Sequence, residues 1–256
     1  MKKIFIMTAA VAIGLILVIS YADSDPGNIR TTKHNLSSGG GQTVRAIGET
    51  QICVFCHTPH KSLTDGPLWN HTMSTRTTYS VYTSGTLLST PSNPPDGDSR
   101  LCLSCHDGDR PIGDVLNIGG QSMVIPMTST YMPVGPNNFG DNIMAHHPVS
   151  IEISQCLKDC KANNPTRGCP SLSVDWKLAA SIAPAYLKKT TNQFNNIAAC
   201  SAYCGAFDHP GTGVQCSSCH DAHSQNGMFL RTGSAPAWSP PDYLDSICQA
   251  CHTACP

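Results

Sequence analysis

Apolar positions are concentrated at one place in this chain. Ile4 to Ile19 is a nearly unbroken run of 16 residues, preceded by Lys2 and Lys3 and followed by Ser20-Tyr21-Ala22. A charged start, an apolar middle and small residues at positions −3 and −1 predict a secretory signal over 1–22, with the mature chain starting at Asp23. The run is shorter than the roughly 18–20 residues that span a bilayer, and no later segment is long and apolar enough to do so. Thr72 to Asp98 is rich in Ser, Thr, Pro and Gly and predicts loops, with room for one short hairpin. Trp176 to Lys189, interrupted by Pro184, and Gln193 to Tyr203 have helical potential. The fold class that follows is mostly irregular and loop-rich, with short α-helices and little β.

Composition sharpens that picture. Of 256 residues, 40% are hydrophobic, 6% aromatic and 13% charged, with 19 prolines and 21 glycines. Ordinary domains are richer in both apolar and charged residues, so a large core made of side chains alone is not expected. Sixteen basic residues nearly balance 17 acidic ones. Without Lys2 and Lys3 the balance is 14 against 17, a formal charge of −3. There is no basic footprint of the kind nucleic-acid binding needs.

The 14 cysteines supply what the core lacks. Eight form four copies of one pattern: Cys53-Val-Phe-Cys56-His57, Cys102-Leu-Ser-Cys105-His106, Cys216-Ser-Ser-Cys219-His220 and Cys248-Gln-Ala-Cys251-His252. C-x-x-C-H is the attachment signature of c-type haem. Two thiols one turn apart can add to two vinyl groups on one porphyrin edge, and the adjacent histidine then reaches the iron as its proximal ligand. Zinc also uses C-x-x-C pairs, but it needs no histidine directly after them; by chance that would happen at all four pairs on the order of once in 10⁵ to 10⁶. Four covalent haem c groups are therefore expected. Large apolar macrocycles then stand in for a conventional interior, and the fold is organised around four stacked haems.

Seven further histidines can supply sixth ligands. His60 and His223 each lie three residues past a proximal histidine, which assigns His60 to the haem of Cys102/Cys105 and His223 to that of Cys248/Cys251. His147 and His209 precede prolines, which extend the backbone before them, and are candidates too, with His146 the substitute for His147 if the register differs by one. His34 is a further candidate, in a polar N-terminal stretch. His71 is the weakest, because Leu68 and Trp69 beside it predict packing.

The remaining cysteines, Cys156, Cys160, Cys169, Cys200, Cys204 and Cys255, are an even number in a chain read as exported, where thiols oxidise. Cys156/Cys160 and Cys200/Cys204 have i, i+4 spacing, so each pair shares a helix face. Two antiparallel helices could then bridge Cys156 to Cys204 and Cys160 to Cys200, leaving Cys169 with Cys255; 15 pairings are possible. The chain divides into a first dihaem half (23–147), a cysteine-rich helical insert (148–205) and a second dihaem half (206–256).

Several phrases carry a resemblance: Lys33-His34-Asn35-Leu36-Ser37, Cys53-Val-Phe-Cys56-His57-Thr-Pro-His60, Pro67-Leu-Trp-Asn70, Ser99-Arg-Leu-Cys102-Leu-Ser-Cys105-His106-Asp-Gly108 and His147-Pro-Val149. Together they resemble the tetrahaem outer-surface cytochromes of metal-reducing bacteria, the filament-forming OmcE-type family. The six extra cysteines fall outside that pattern. The resemblance implies a chain of bis-histidine haems, end-to-end association with copies of itself, and a histidine donated from one subunit to a haem of the next. Here His34 would be that donated ligand. It also implies redox partner proteins or extracellular electron acceptors, and a location outside the cell or at its surface, the periplasm being the alternative. Two other functions stay open: a discrete electron carrier, and a multihaem reductase. The reductase is disfavoured because no motif replaces its proximal histidine with lysine. No catalytic residue is expected, nor is a membrane span in the mature chain.

Overall fold

The computed structural model describes residues 28–64, 66–84, 87, 89–153, 188–189, 212–231 and 247. The signal, the fourth C-x-x-C-H motif, His209 and the six other cysteines lie outside the described residues.

Regular structure is sparse, and most of it sits at the cysteine motifs. The 3-10 turn Cys53–Phe55 carries the first motif, helix α1 (Gly97–His106) the second and the short helix α2 (Cys216–Cys219) the third. In the first motif the two residues between the cysteines, Val54 and Phe55, are buried, whereas Cys53 is exposed. They join Ala46, Ile112, Val115, Ile125 and Met127 in a small core. The second motif does the same with Leu103, which packs with Tyr79 and Ile143 in a separate cluster. The first two motifs are thus anchored through intervening residues, with Cys56 also packed against the first cluster.

Strands β1 (Asp114–Ile118) and β2 (Gln121–Val124) form an antiparallel hairpin. Its turn is Gly119-Gly120, with φ of +59° and +92°, the two positive values that a type I′ turn demands and that glycine adopts without penalty. Alternate residues of β1 are buried beneath the first motif, while β2 is exposed throughout. The hairpin does not lie in 72–98, where the composition allowed one. That stretch runs extended, without strand pairing among its described residues before the isolated bridge Ser80–Asn142. The turn signal that decided the matter was the glycine pair.

A second sheet orders as β3 (Ile151–Glu152), β5 (Thr212–Val214), β4 (Lys188–Lys189), all antiparallel. It delivers the chain to the third motif. Gln215, 1% exposed, then locks that motif onto the second. Its side chain accepts from the Ser99 amide (3.2 Å) and the Ser150 hydroxyl (3.1 Å), and donates to Asp96 (2.8 Å). The Cys216 amide donates to Ser99 Oγ at 3.0 Å, and Ser217 bonds Asp98. One of the amides at the start of α1, which helix geometry leaves without an internal partner, is thereby used to dock the third motif.

Candidate functional site

The three described motifs converge. Cys102 and Cys216, from the second and third, share a hydrogen bond. Cys56 of the first is close enough to Cys105 of the second to feel its charge. Burial, and next to it the neighbouring Cys105, pushes the Cys56 thiol up to about 12; burial does the same at Cys105. The hydrogen bond with Cys102 draws Cys216 down to about 7, and the same bond together with burial pushes Cys102 well up.

Each proximal histidine is oriented in one way. Nδ1–H donates to a backbone carbonyl: His57 to Pro67 (2.9 Å), His106 to Asn137 (2.7 Å) and His220 to Met228 (2.7 Å). A carbonyl can only accept, so the proton sits on Nδ1 and the Nε2 lone pair is available. This is the second-sphere arrangement that metal-ligating histidines use. Two of these acceptors adjoin backbone that non-glycine residues rarely adopt. Leu68 follows Pro67 with φ +56°, and Met228 and Phe229 have φ of +54° and +59°. Such residues cost of order 1–3 kcal/mol each and gather at functional positions. Here the strain aims carbonyls at imidazoles.

Two imidazole pairs lie close together: His57 with His223, and His34 with His106, each with ring centroids 6.2 Å apart. A ligating nitrogen lies about 1.1 Å from its ring centre and a metal–imidazole bond is about 2.0 Å. Two rings held end-on by one metal should therefore have centroids about 6 Å apart. His34 donates Nδ1–H to the Ala222 carbonyl at 3.2 Å, as the motif histidines do to theirs, whereas His223 Nδ1 lies 3.4 Å from the Asp221 side-chain Oδ1. Burial, opposed in part by those backbone bonds, holds both His34 and His106 below the usual imidazole range. Both are thus neutral near pH 7, the form that binds metal.

Neither a family model nor a curated protein sequence matches this chain.

The structure brings His223 near His57 of the first motif and His34 near His106 of the second, whereas spacing alone had assigned His223 to the fourth motif, which lies outside the described residues, and His60 to the second. His60 is exposed; its backbone carbonyl accepts from Asn117 Nδ2 at 2.6 Å and the Thr58 hydroxyl at 3.0 Å. Nor is His34 an outward-reaching arm. It is half-buried, stacked on Phe229 at 4.3 Å and seated over its own chain's His106. The cause is a well-bonded N-terminal segment: Asn35 is 5% exposed, donates to the Arg30 carbonyl and accepts from the Ser37 hydroxyl, while Gln225 reaches Thr31 from beside the third motif.

The other candidates divide clearly. His146 is exposed with its ring 4.6 Å from Phe139, and exposed His147 donates to the Pro148 carbonyl at 2.9 Å. His71 is fully buried, with its two nitrogens 2.8 and 3.1 Å from the Thr72 and Pro111 carbonyls. Burial holds its pKa below the ordinary imidazole value, so one nitrogen donates to a carbonyl, and both are turned to the backbone. Of the packing residues predicted beside it, Leu68 is 53% exposed, while Trp69 sets its ring edge-on to His57 at 6.3 Å.

Several supporting residues carried no sequence signal that was read. Asn70, fully buried, donates to the Val54 and Asn117 carbonyls and accepts from the Asn117 amide, while its own amide bonds the Cys56 carbonyl. It grips the first motif from behind. Asp107, directly after His106, is 1% exposed and accepts from Tyr79 at 2.6 Å, from Ser74 and from the Asp109 amide at 2.9 Å; Arg76 is 3.7 Å away.

The donor set fits a haem. Among the described residues no three His, Cys, Asp or Glu side chains gather around one point. What they gather is pairs of opposed imidazoles beside paired thiols, as a macrocycle supplying its own four nitrogens requires. The Trp69 indole N–H, buried beside His57, has no hydrogen-bond partner among the described residues; it is a donor suited to an acidic group on a ligand at the first motif. No helix among the described residues is long and apolar enough to cross a membrane.

Proposed function

We propose that the protein is an exported tetrahaem c-type cytochrome that carries electrons and performs no substrate chemistry. The observation that carries this reading is the facing of His57 with His223 and of His106 with His34 at a centroid separation of 6.2 Å. Each pair joins the histidine of a C-x-x-C-H motif to one far away in sequence. Haem supplies a reversible one-electron iron couple whose potential the protein sets through ligands, burial and hydrogen bonds.

The chain's own residues do the rest. Cys53 and Cys56, Cys102 and Cys105, Cys216 and Cys219 would tether three groups, and Cys248 and Cys251, by the same motif, a fourth. His57, His106, His220 and His252 would be the proximal ligands. The carbonyls of Pro67, Asn137 and Met228 hold the first three in the neutral, Nδ1-protonated form. At the first two sites His57 with His223, and His106 with His34, would hold the iron between them and leave a substrate no position there, which supports a carrier over a reductase. The contact between Cys102 and Cys216, and the closeness of Cys56 to Cys105, supports redox centres near enough to exchange electrons directly. Export is supported by the N-terminal run alone. The closeness of His34 to its own chain's His106 supports a discrete carrier serving redox partner proteins or extracellular acceptors beside the other reading, end-to-end association of copies of the chain through a donated histidine.

Potentiometric titration of the haem-loaded protein tests this. Four electrons per chain should be taken up reversibly, and the ferric iron at the first two sites should be low-spin without any added ligand. A resting iron at either site that is high-spin and readily binds cyanide would return the reductase reading.

A further inference from the structure

The two imidazole pairs share a centroid distance but differ in orientation. The rings of His57 and His223 are nearly parallel, 15° apart, whereas those of His34 and His106 cross at 66°. We infer that these pairs hold two electronically distinct low-spin irons and that the Phe229 ring, stacked on His34, fixes the crossed one. This rests on the haem reading above and deepens it.

An axial imidazole interacts by its π system with the iron d orbital lying perpendicular to the ring plane. Parallel rings act on the same orbital, separate it from its partner, and give a rhombic ferric centre. Crossed rings act on both orbitals, leave them nearly equal, and give a strongly anisotropic centre with one very large g value. The ligand-plane angle is thus a property that the chain can set and that magnetic resonance can read.

What would otherwise let a ring turn about its metal bond is removed at the crossed site. His34 has Phe229 stacked on it at 4.3 Å and 17°, and its Nδ1–H is held by Ala222. His106 has Phe139 stacked at 5.5 Å and 20°, and its Nδ1–H is held by Asn137. Phe139 is itself pinned, since its amide donates to the His106 carbonyl at 2.7 Å. Each ring therefore has one constraint in its plane and one against its face. Phe229 reaches its post through two consecutive left-handed residues, Met228 and Phe229, so the backbone is strained where the ring is delivered. In the parallel pair neither ring has a phenylalanine against its face among the described residues: Trp69 meets His57 edge-on at 89°, and the His223 side chain is 53% exposed.

The test is low-temperature electron paramagnetic resonance of the oxidised, haem-loaded protein, with haem content measured alongside. The unaltered protein should show a large-g signal and a rhombic set. Phe229→Leu keeps apolar bulk but cannot stack; the large-g signal should lose one iron's intensity to the rhombic region, with four haems still attached and the optical spectrum still low-spin. His34→Ala should remove the same signal and make that iron high-spin, which assigns it to this site. The inference is overturned if the unaltered protein has no large-g signal, if the signal survives His34→Ala, or if Phe229→Leu leaves it unchanged. Should Phe229→Leu not fold, the first two readings still decide. Protein without attached haem would instead overturn the haem reading, which the content measurement reports separately.

Discussion

Replacing His223 with alanine should leave four haems attached and turn one of the four ferric irons high-spin, the one tethered by Cys53 and Cys56. The argument is geometric: His223 is the only imidazole the described residues set against His57, at 6.2 Å and 15°. Among the described residues no second imidazole is set against His57, and His60 on the same segment is exposed. The expected effect is one iron in four, read from the ferric optical and magnetic spectra. Its location is checked by combination. In a Cys53→Ala/Cys56→Ala background, where that haem is never attached, His223→Ala should add no high-spin iron. In a Cys248→Ala/Cys251→Ala background it should add as much as in the full protein. The reverse result would mean that His223 serves the fourth motif, as its spacing in sequence first suggested.

The second large effect concerns Asp107. Its carboxylate is 1% exposed and collects Tyr79, Ser74 and the Asp109 amide, with Arg76 at 3.7 Å. Burial, strengthened by the bond to Asp107, keeps the Tyr79 phenol well above its ordinary value, so it remains a donor at any pH where the protein is folded. Asp107→Ala would leave the buried Tyr79 and Ser74 hydroxyls and the Asp109 amide without this acceptor, while Arg76, a third exposed, keeps Asp109 beside it. Orphaned groups of this kind cost about 1–3 kcal/mol each. A loss of about 3 kcal/mol or more is expected, measured by urea unfolding of the haem-loaded protein. Asp107→Asn keeps an acceptor oxygen and should lose roughly half as much. Equal stability of Asp107→Ala and the unaltered chain would show that the network contributes nothing.

The cysteine motifs stand out in the sequence, and the neighbours of their histidines do not. Cys53, Cys56 and His57 lie at the fixed short spacing that haem attachment would demand. Spacing says nothing of which histidines lie beside them in space. Reading His60 and His223 by their shared offset assumed that each served the next motif in its own half. The docking of α2 against α1 through Gln215, Ser99 and Asp98 accompanies a fold in which the third motif's segment presents His223 to the first motif and the Ala222 carbonyl to His34. Long-range placement of this kind leaves no local pattern. The acceptors were hidden for another reason: Pro67, Asn137 and Met228 act through backbone carbonyls, which every residue type has. The fold's poverty in regular structure followed from composition. The hairpin at 114–124 was signalled by Gly119-Gly120, and the buried role of Asp107 by its position after His106, but both signals are weak without knowledge of what packs around them. His71 shows the opposite case, a histidine set aside for lack of a ligand pattern that turns out to have both ring nitrogens engaged by carbonyls.

The central claim is that paired cysteines tether iron porphyrins at four places. Intact-mass measurement of the processed protein, made in a host able to attach haem, tests it most directly. The mass should exceed that of the polypeptide beginning at Asp23 by four haems, and should fall by one haem when Cys53 and Cys56 are both replaced. A mass equal to the bare processed chain would contradict the account.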